Sequence, residues 1–101
     1  MSEQITVIAR FKTKPETAAQ FTALGLNLVQ LTRQEDGCLN YDFHQDTEDE
    51  TLFFMYENWL NAAALAKHFE QSYIREALAA APKILAEPIE LRQLKMISSK
   101  A

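Results

Sequence analysis

Apolar side chains open the chain on alternate positions, with Ile5, Val7, Ala9 and Phe11 set between Thr6, Ile8, Arg10 and Lys12. A period of two predicts a strand with one face buried. The alternation stops at Thr13-Lys14-Pro15-Glu16. There Thr13 is expected to cap the N–H of Glu16 while the Glu16 carboxylate reaches back, and Pro15 in the first turn loses no hydrogen bond. Phe21, Leu24, Leu28 and Leu31 follow at spacings of three, four and three, the stripe of an amphipathic helix. Gly25 inside that helix costs about 1 kcal/mol relative to alanine. Gly37 predicts a left-handed stop.

A second strand is read from Leu39, Tyr41 and Phe43 against Cys38, Asn40, Asp42 and His44. The acidic stretch from Asp46 to Glu50 predicts a solvated turn. A third strand runs from Thr51 to about Trp59 and is apolar on both faces, Leu52, Phe54 and Tyr56 on one, Phe53, Met55 and Trp59 on the other. Asn61 is expected to cap a short helix carrying Ala62, Leu65, Ala66 and Phe69. Ser72 is expected to cap another, carrying Ile74, Ala77, Leu78 and Ala81 and ending near Pro82. A last strand spans Ile89 to Ile97, and its alternation changes phase near Gln93, which predicts a bulge or a strand shared between two sheets. The order β-α-β-β-α-α-β predicts an α+β, ferredoxin-like split βαβ fold, with helices on one face of an antiparallel sheet. Ile8, Tyr41 and Phe43 beside the core rows, together with the third strand, would leave a large apolar patch on the other face. A homodimer packed sheet against sheet is the expected remedy.

A chain of 101 residues is expected to form one domain, residues 1–101. The net charge is −4, yet residues 35–61 hold eight acids and no base. No basic patch suited to phosphates is present, so nucleic-acid binding is not expected. No apolar run approaches the roughly 18 residues of a membrane span, and Met1-Ser2-Glu3-Gln4 lacks the start of a signal peptide. The single cysteine, Cys38, allows no intrachain disulfide and no cysteine zinc site, which fits a cytoplasmic protein. Two glycines, Gly25 and Gly37, exclude a dinucleotide fingerprint, and no Gly-Lys-Ser/Thr step for a P-loop occurs.

His68 lies nine residues after Trp59 on the short helix. A neutral imidazole there could serve as a general base near pH 7; spacing alone better describes a histidine packing or capping at a helix surface. Trp59 could wall a flat ligand or fill the core. Glu57, two residues earlier on the same face, could supply a charge or acceptor to such a ligand, but is expected to pair with a lysine. Asp42, His44 and Asp46 share one strand face, but alternate residues stand about 6.5 Å apart, so no metal site is expected. Arg10 is expected in a cross-strand or cross-dimer ion pair. Cys38 reads as a small apolar filler.

Val7-Ile8-Ala9-Arg10-Phe11, Lys14-Pro15-Glu16, Glu35-Asp36-Gly37-Cys38-Leu39-Asn40-Tyr41 and Tyr56-Glu57-Asn58-Trp59 with His68 together resemble the antibiotic biosynthesis monooxygenase (ABM) domain, over about residues 4 to 97. The resemblance implies a dimeric α+β barrel in which C-terminal strands lie across the partner. It also implies a pocket between helices and sheet for a small hydrophobic aromatic substrate. Members of this kind oxidise quinols or polyketide anthrones with neither metal nor flavin; others degrade heme or isomerise a phosphorylated sugar. Ala9 stands where the heme-degrading branch carries asparagine, and Gln71-Ser72-Tyr73 where the isomerase branch has Thr-Pro-His. The resemblance therefore implies a cofactor-independent monooxygenase with His68 as base. Trp59, Phe53, Met55 and Phe69 would form its apolar wall, with Tyr73 as a hydrogen-bond donor. The alternatives are an isomerase or other proton-transfer enzyme acting on a small carbonyl compound, and a non-catalytic dimeric small-molecule-binding domain.

Overall fold

The computed structural model describes residues 3–99. The first alternating segment forms β1 (Ile5–Lys12), and the two later ones form β2 (Cys38–Gln45) and β3 (Leu52–Trp59). With β4 (Glu90–Leu94) they make one antiparallel sheet in the order β2-β3-β1-β4. Three helices, α1 (Ala18–Thr32), α2 (Ala62–Glu70) and α3 (Ser72–Ile84), complete the ferredoxin-like α+β fold. Strand parity places Val7, Ala9, Tyr41, Phe43, Phe53, Met55, Glu57 and Trp59 on the face the helices cover. Two apolar clusters meet there, one around Trp59 and one around Phe21 and Phe53, and Phe11 and Phe43 touch both. No helix among the described residues is long and apolar enough to cross a membrane.

The structure corrects several local expectations. The buried line of α1 runs through Phe21, Gly25, Val29 and Thr32, with Leu24, Leu28 and Leu31 only half-buried beside it. Gly25 causes the rotation: the Phe43 ring lies so close to its Cα that a Cβ would overlap the ring carbons. Thr13 does not cap α1. It is buried in a bridge to Leu85, and Pro15–Thr17 form a short 3-10 turn before the helix. Ser72 is the first residue of α3, not its cap, and the helix continues through Pro82 to Ile84. Asn61 does cap α2, its Oδ1 accepting from the Ala64 N–H at 2.9 Å. Gly37 has φ +85°.

The open face of the sheet also differs from expectation. The register shift falls between Cys38 and Asn40, not in the last strand, and Leu39 is turned out to solvent. Tyr41 and Phe43 consequently point under the helices rather than onto the open face. Ile8, Leu52, Phe54 and Tyr56 remain there, beside a polar row in which Gln4 and Thr6 donate to Asn58, and Asn58 donates to Asn40. The last strand is shorter than predicted; it pairs regularly with β1 from Arg10↔Glu90 to Thr6↔Leu94 and has no bulge. The change of phase near Gln93 coincides with the point where the chain leaves the sheet.

Candidate active site

Capping by Asn61 sets the start of α2, and residues at i and i+3 then share a face, so Leu65 and His68 both turn inward. The His68 ring is only 3% exposed. It lies 4.6 Å from Trp59, 5.5 Å from Tyr41 and 5.3 Å from Phe69, centroid to centroid. Its Nδ1 is 2.9 Å from Glu35 Oε2, and the Tyr73 hydroxyl donates to the same oxygen. Glu35 stands in the turn between α1 and Gly37, where its N–H donates to the Thr32 carbonyl. A carboxylate only accepts, so the pairing assigns the proton of neutral His68 to Nδ1 and the lone pair to Nε2. Burial lowers the affinity of His68 for a second proton by more than the Glu35 carboxylate raises it. The imidazole is therefore neutral at pH 7.

Beside it, α1, α3 and the sheet enclose a cleft of about 70 Å³. Its walls are almost wholly apolar, with Ala9 and Met55 contributed by the sheet and half-exposed Leu78 and Leu91 on the solvent side. Three polar side chains reach it: Tyr41, Glu57 and His68. Glu57 is 4% exposed, and its Oε1 accepts from the Trp59 indole N–H at 2.9 Å. The lysine expected beside Glu57 is not there. Burial, helped by the negative charge of Glu35, instead pushes its carboxyl up to about 7. Burial and the nearby carboxylates also raise the Tyr41 phenol well above its ordinary value, so it remains a donor.

Of the residues singled out in the sequence, His68, Glu57, Met55 and Phe69 border the cleft. Phe53 lies deeper, stacked on Phe43 at 5.5 Å and edge-on to Phe21. Trp59 is fully buried behind Glu57 and does not border the cleft. Tyr73 is on the far side of His68, in a polar surface depression with Glu35, Lys67 and Gln71. Sequence reasoning missed Tyr41 and Glu35, and it read Glu57 as a carboxylate paired with a lysine rather than as a cleft residue. Nothing local announces Glu35, which meets His68 across 33 positions.

The other candidates lie elsewhere. Arg10 forms ion pairs with Glu87 at 3.0 Å and with its cross-strand neighbour Glu90 at 3.9 Å. Asp42 pairs with Arg33 at 2.8 Å, and among the described residues no three His, Cys, Asp or Glu side chains converge as ligands would. Burial pushes the Cys38 thiol up to about 11, away from thiolate chemistry.

Comparison with known proteins gives a consistent result. Residues 4–80 match the family described as "Antibiotic biosynthesis monooxygenase". The chain is 33% identical to the Synechocystis sp. protein sll1783, described as uncharacterized, over 97% of this chain and 67% of that one. It is 31% identical to the Bacillus subtilis protein named "Putative monooxygenase YcnE", over 86% of this chain and 92% of the relative. The crystal structure of PA3566 from Pseudomonas aeruginosa superposes with a TM-score of 0.90 at 33% identity, covering 97% of this chain and 98% of the other. By a match over residues 4–80, from β1 into α3, this chain belongs to the antibiotic biosynthesis monooxygenase family.

Proposed function

We propose that the protein is a cofactor-independent monooxygenase acting on a quinol or polycyclic phenol, such as the enol of an anthrone. One observation carries the reading: an apolar cleft ends on a single imidazole that burial keeps neutral and Glu35 orients. His68 Nε2 takes the acidic proton of the substrate. The Tyr41 hydroxyl, a buried donor on the same wall, holds the resulting oxyanion. The electron-rich anion passes one electron to O₂, the radical and superoxide combine into a C–O bond, and protonated His68 returns its proton to the peroxide anion, which gives the hydroperoxide and leaves His68 neutral again. Loss of water from that hydroperoxide leaves a carbonyl. For an anthrone, CH₂ and O₂ become C=O and H₂O, one oxygen atom going to each product. Phe69 and Met55 supply the apolar wall; Phe53 and Trp59 support it from behind, and Tyr73 acts through Glu35.

The monooxygenase names borne by relatives support this reading. Oxygen uptake with anthrone or a naphthoquinol, one O₂ per carbonyl formed and lost in His68→Ala, is the expected result. Ligand-induced stabilisation without oxygen uptake would overturn it. A neutral imidazole beside a carboxyl near neutrality also suits proton transfer on a small carbonyl compound without oxygen. Solvent-deuterium exchange into such a compound, with no oxygen consumed, would decide for that second reading.

The functional unit proposed is a homodimer formed through the open sheet face. Ile8, Phe54 and Tyr56 lie on that face, and Leu94, Met96 and Ile97 are exposed at the C-terminal end, Ile97 by 93%. Sedimentation at twice the chain mass is the expected outcome, and a monomer at micromolar concentration would refute it.

A further inference from the structure

Breaking the O–O bond of a substrate hydroperoxide expels hydroxide into an apolar cleft, where nothing solvates it. An acid must meet it there, and His68 is at that moment occupied as base, taking the second C–H proton. We propose that Glu57, in its protonated form, is the catalytic acid that delivers a proton to the departing oxygen. This rests on the monooxygenase reading above and adds a residue to it.

The geometry singles out this side chain. Glu57 borders the cleft on the same wall as Tyr41, its cross-strand neighbour. The Trp59 indole N–H can only donate, so Oε1 must be the accepting oxygen. We assign the proton of the acid form to Oε2, which makes no hydrogen bond to another described residue, on a side chain that borders the cleft. No lysine or arginine pairs with the carboxylate among the described residues. A structural carboxylate buried at this depth would be expected to hold a cation. The titratable groups near Glu57 are Tyr41 and Cys38 from β2, His68 from α2 and Glu35 from the turn after α1. None is a cation at neutral pH, and the Glu35 charge favours the neutral acid.

The step balances. His68 takes the remaining C–H proton, the C–H electron pair becomes the new C=O π bond, and the O–O bond breaks heterolytically. The departing oxygen takes the Glu57 proton and leaves as water. Protonated His68 then returns a proton to the Glu57 carboxylate, and both groups are reset.

Single turnovers with anthrone and dissolved O₂, quenched and assayed separately for oxygen consumed, peroxide and anthraquinone, test the step. Glu57→Gln keeps an acceptor for the Trp59 N–H and removes only the acid. It is expected to consume oxygen within about threefold of the wild-type rate, to accumulate hydroperoxide, and to release anthraquinone at least tenfold more slowly. In the unaltered protein the hydroperoxide fraction should rise as pH passes from 6 to 9, a readout that does not depend on the variant folding. Wild-type anthraquinone release by Glu57→Gln, or a hydroperoxide fraction flat with pH, overturns the role of Glu57 and leaves the monooxygenase reading standing. Loss of oxygen uptake in a folded Glu57→Gln also overturns it, by placing the residue before oxygen addition. No oxygen uptake by the unaltered protein with anthrone or naphthoquinol removes both.

Discussion

The two faces of the sheet are built from interleaved residues of the same strands, yet they hold opposite chemistry. On β3, Phe53, Met55, Glu57 and Trp59 lie under the helices, while Leu52, Phe54, Tyr56 and Asn58 look the other way. The covered face has apolar walls and very few polar atoms, so each polar atom is changed by its surroundings: His68 is held neutral and Glu57 is held near neutrality. On the open face polar groups satisfy one another in the Asn58–Asn40 row and the Arg33–Asp42 ion pair. Low polarity, rather than the number of functional groups, gives one face its reactive character.

The largest test of that contrast compares the two histidines. His68→Ala is expected to lower turnover of a responsive quinol by about 10²- to 10⁴-fold, the usual contribution of a general base. His44→Ala, on the open face, is expected to leave turnover unchanged. Equal losses from the two variants in steady-state oxygen uptake would erase the distinction.

Adjacent phenylalanines test packing. Phe53 is almost fully buried against Phe21 and Phe43, and Phe53→Ala is expected to cost roughly 3–5 kcal/mol in urea unfolding. Phe54→Asp, one residue on and on the opposite face, is expected to act on association instead. Its sedimentation mass should halve while the far-ultraviolet circular dichroism of the subunit persists. A dimer that survives Phe54→Asp would assign the open face some other purpose.

The Glu57 carboxyl offers a pH test whose sign is fixed by its raised value. Between its ordinary 4.5 and about 7 the native protein keeps a proton that the unfolded chain has lost. Stability therefore falls as pH rises through that window and stays lowered above it, by up to about 3 kcal/mol. Glu57→Gln should accordingly melt higher than the unaltered protein at pH 8 and equally at pH 4. His68 has the opposite slope, since its lowered value removes stability as pH falls below 6.5, but it is common to both proteins and cancels in the difference. A melting difference that does not change with pH would contradict the burial argument.

The smallest effect is expected at the surface. Arg10→Ala removes the contacts to Glu87 and Glu90, whose side chains are half or more exposed. Such pairs contribute about 0–1 kcal/mol, so the urea midpoint should barely move and turnover should not.

The chain's own pattern determined a good deal. Period-two runs placed β1, β2 and β3, the Asn61 cap placed α2, and the element order dictated a split βαβ sheet with helices on one side, because those signals are local and repeat along the chain. His68 was legible as a candidate because one of the chain's two histidines sits on the inward line of a short amphipathic helix. The rest depended on distances that no local pattern encodes. The rotation of α1 was decided by the Phe43 ring pressing on Gly25. The inward turn of Tyr41 accompanies the irregularity between Cys38 and Asn40. Glu35 reaches His68 only because the turn after α1 folds back against α2. Glu57 was visible in the sequence as a carboxylate, but its character was not: a titration value depends on how much water and charge surround the group, and those are set only when the helices close over the sheet.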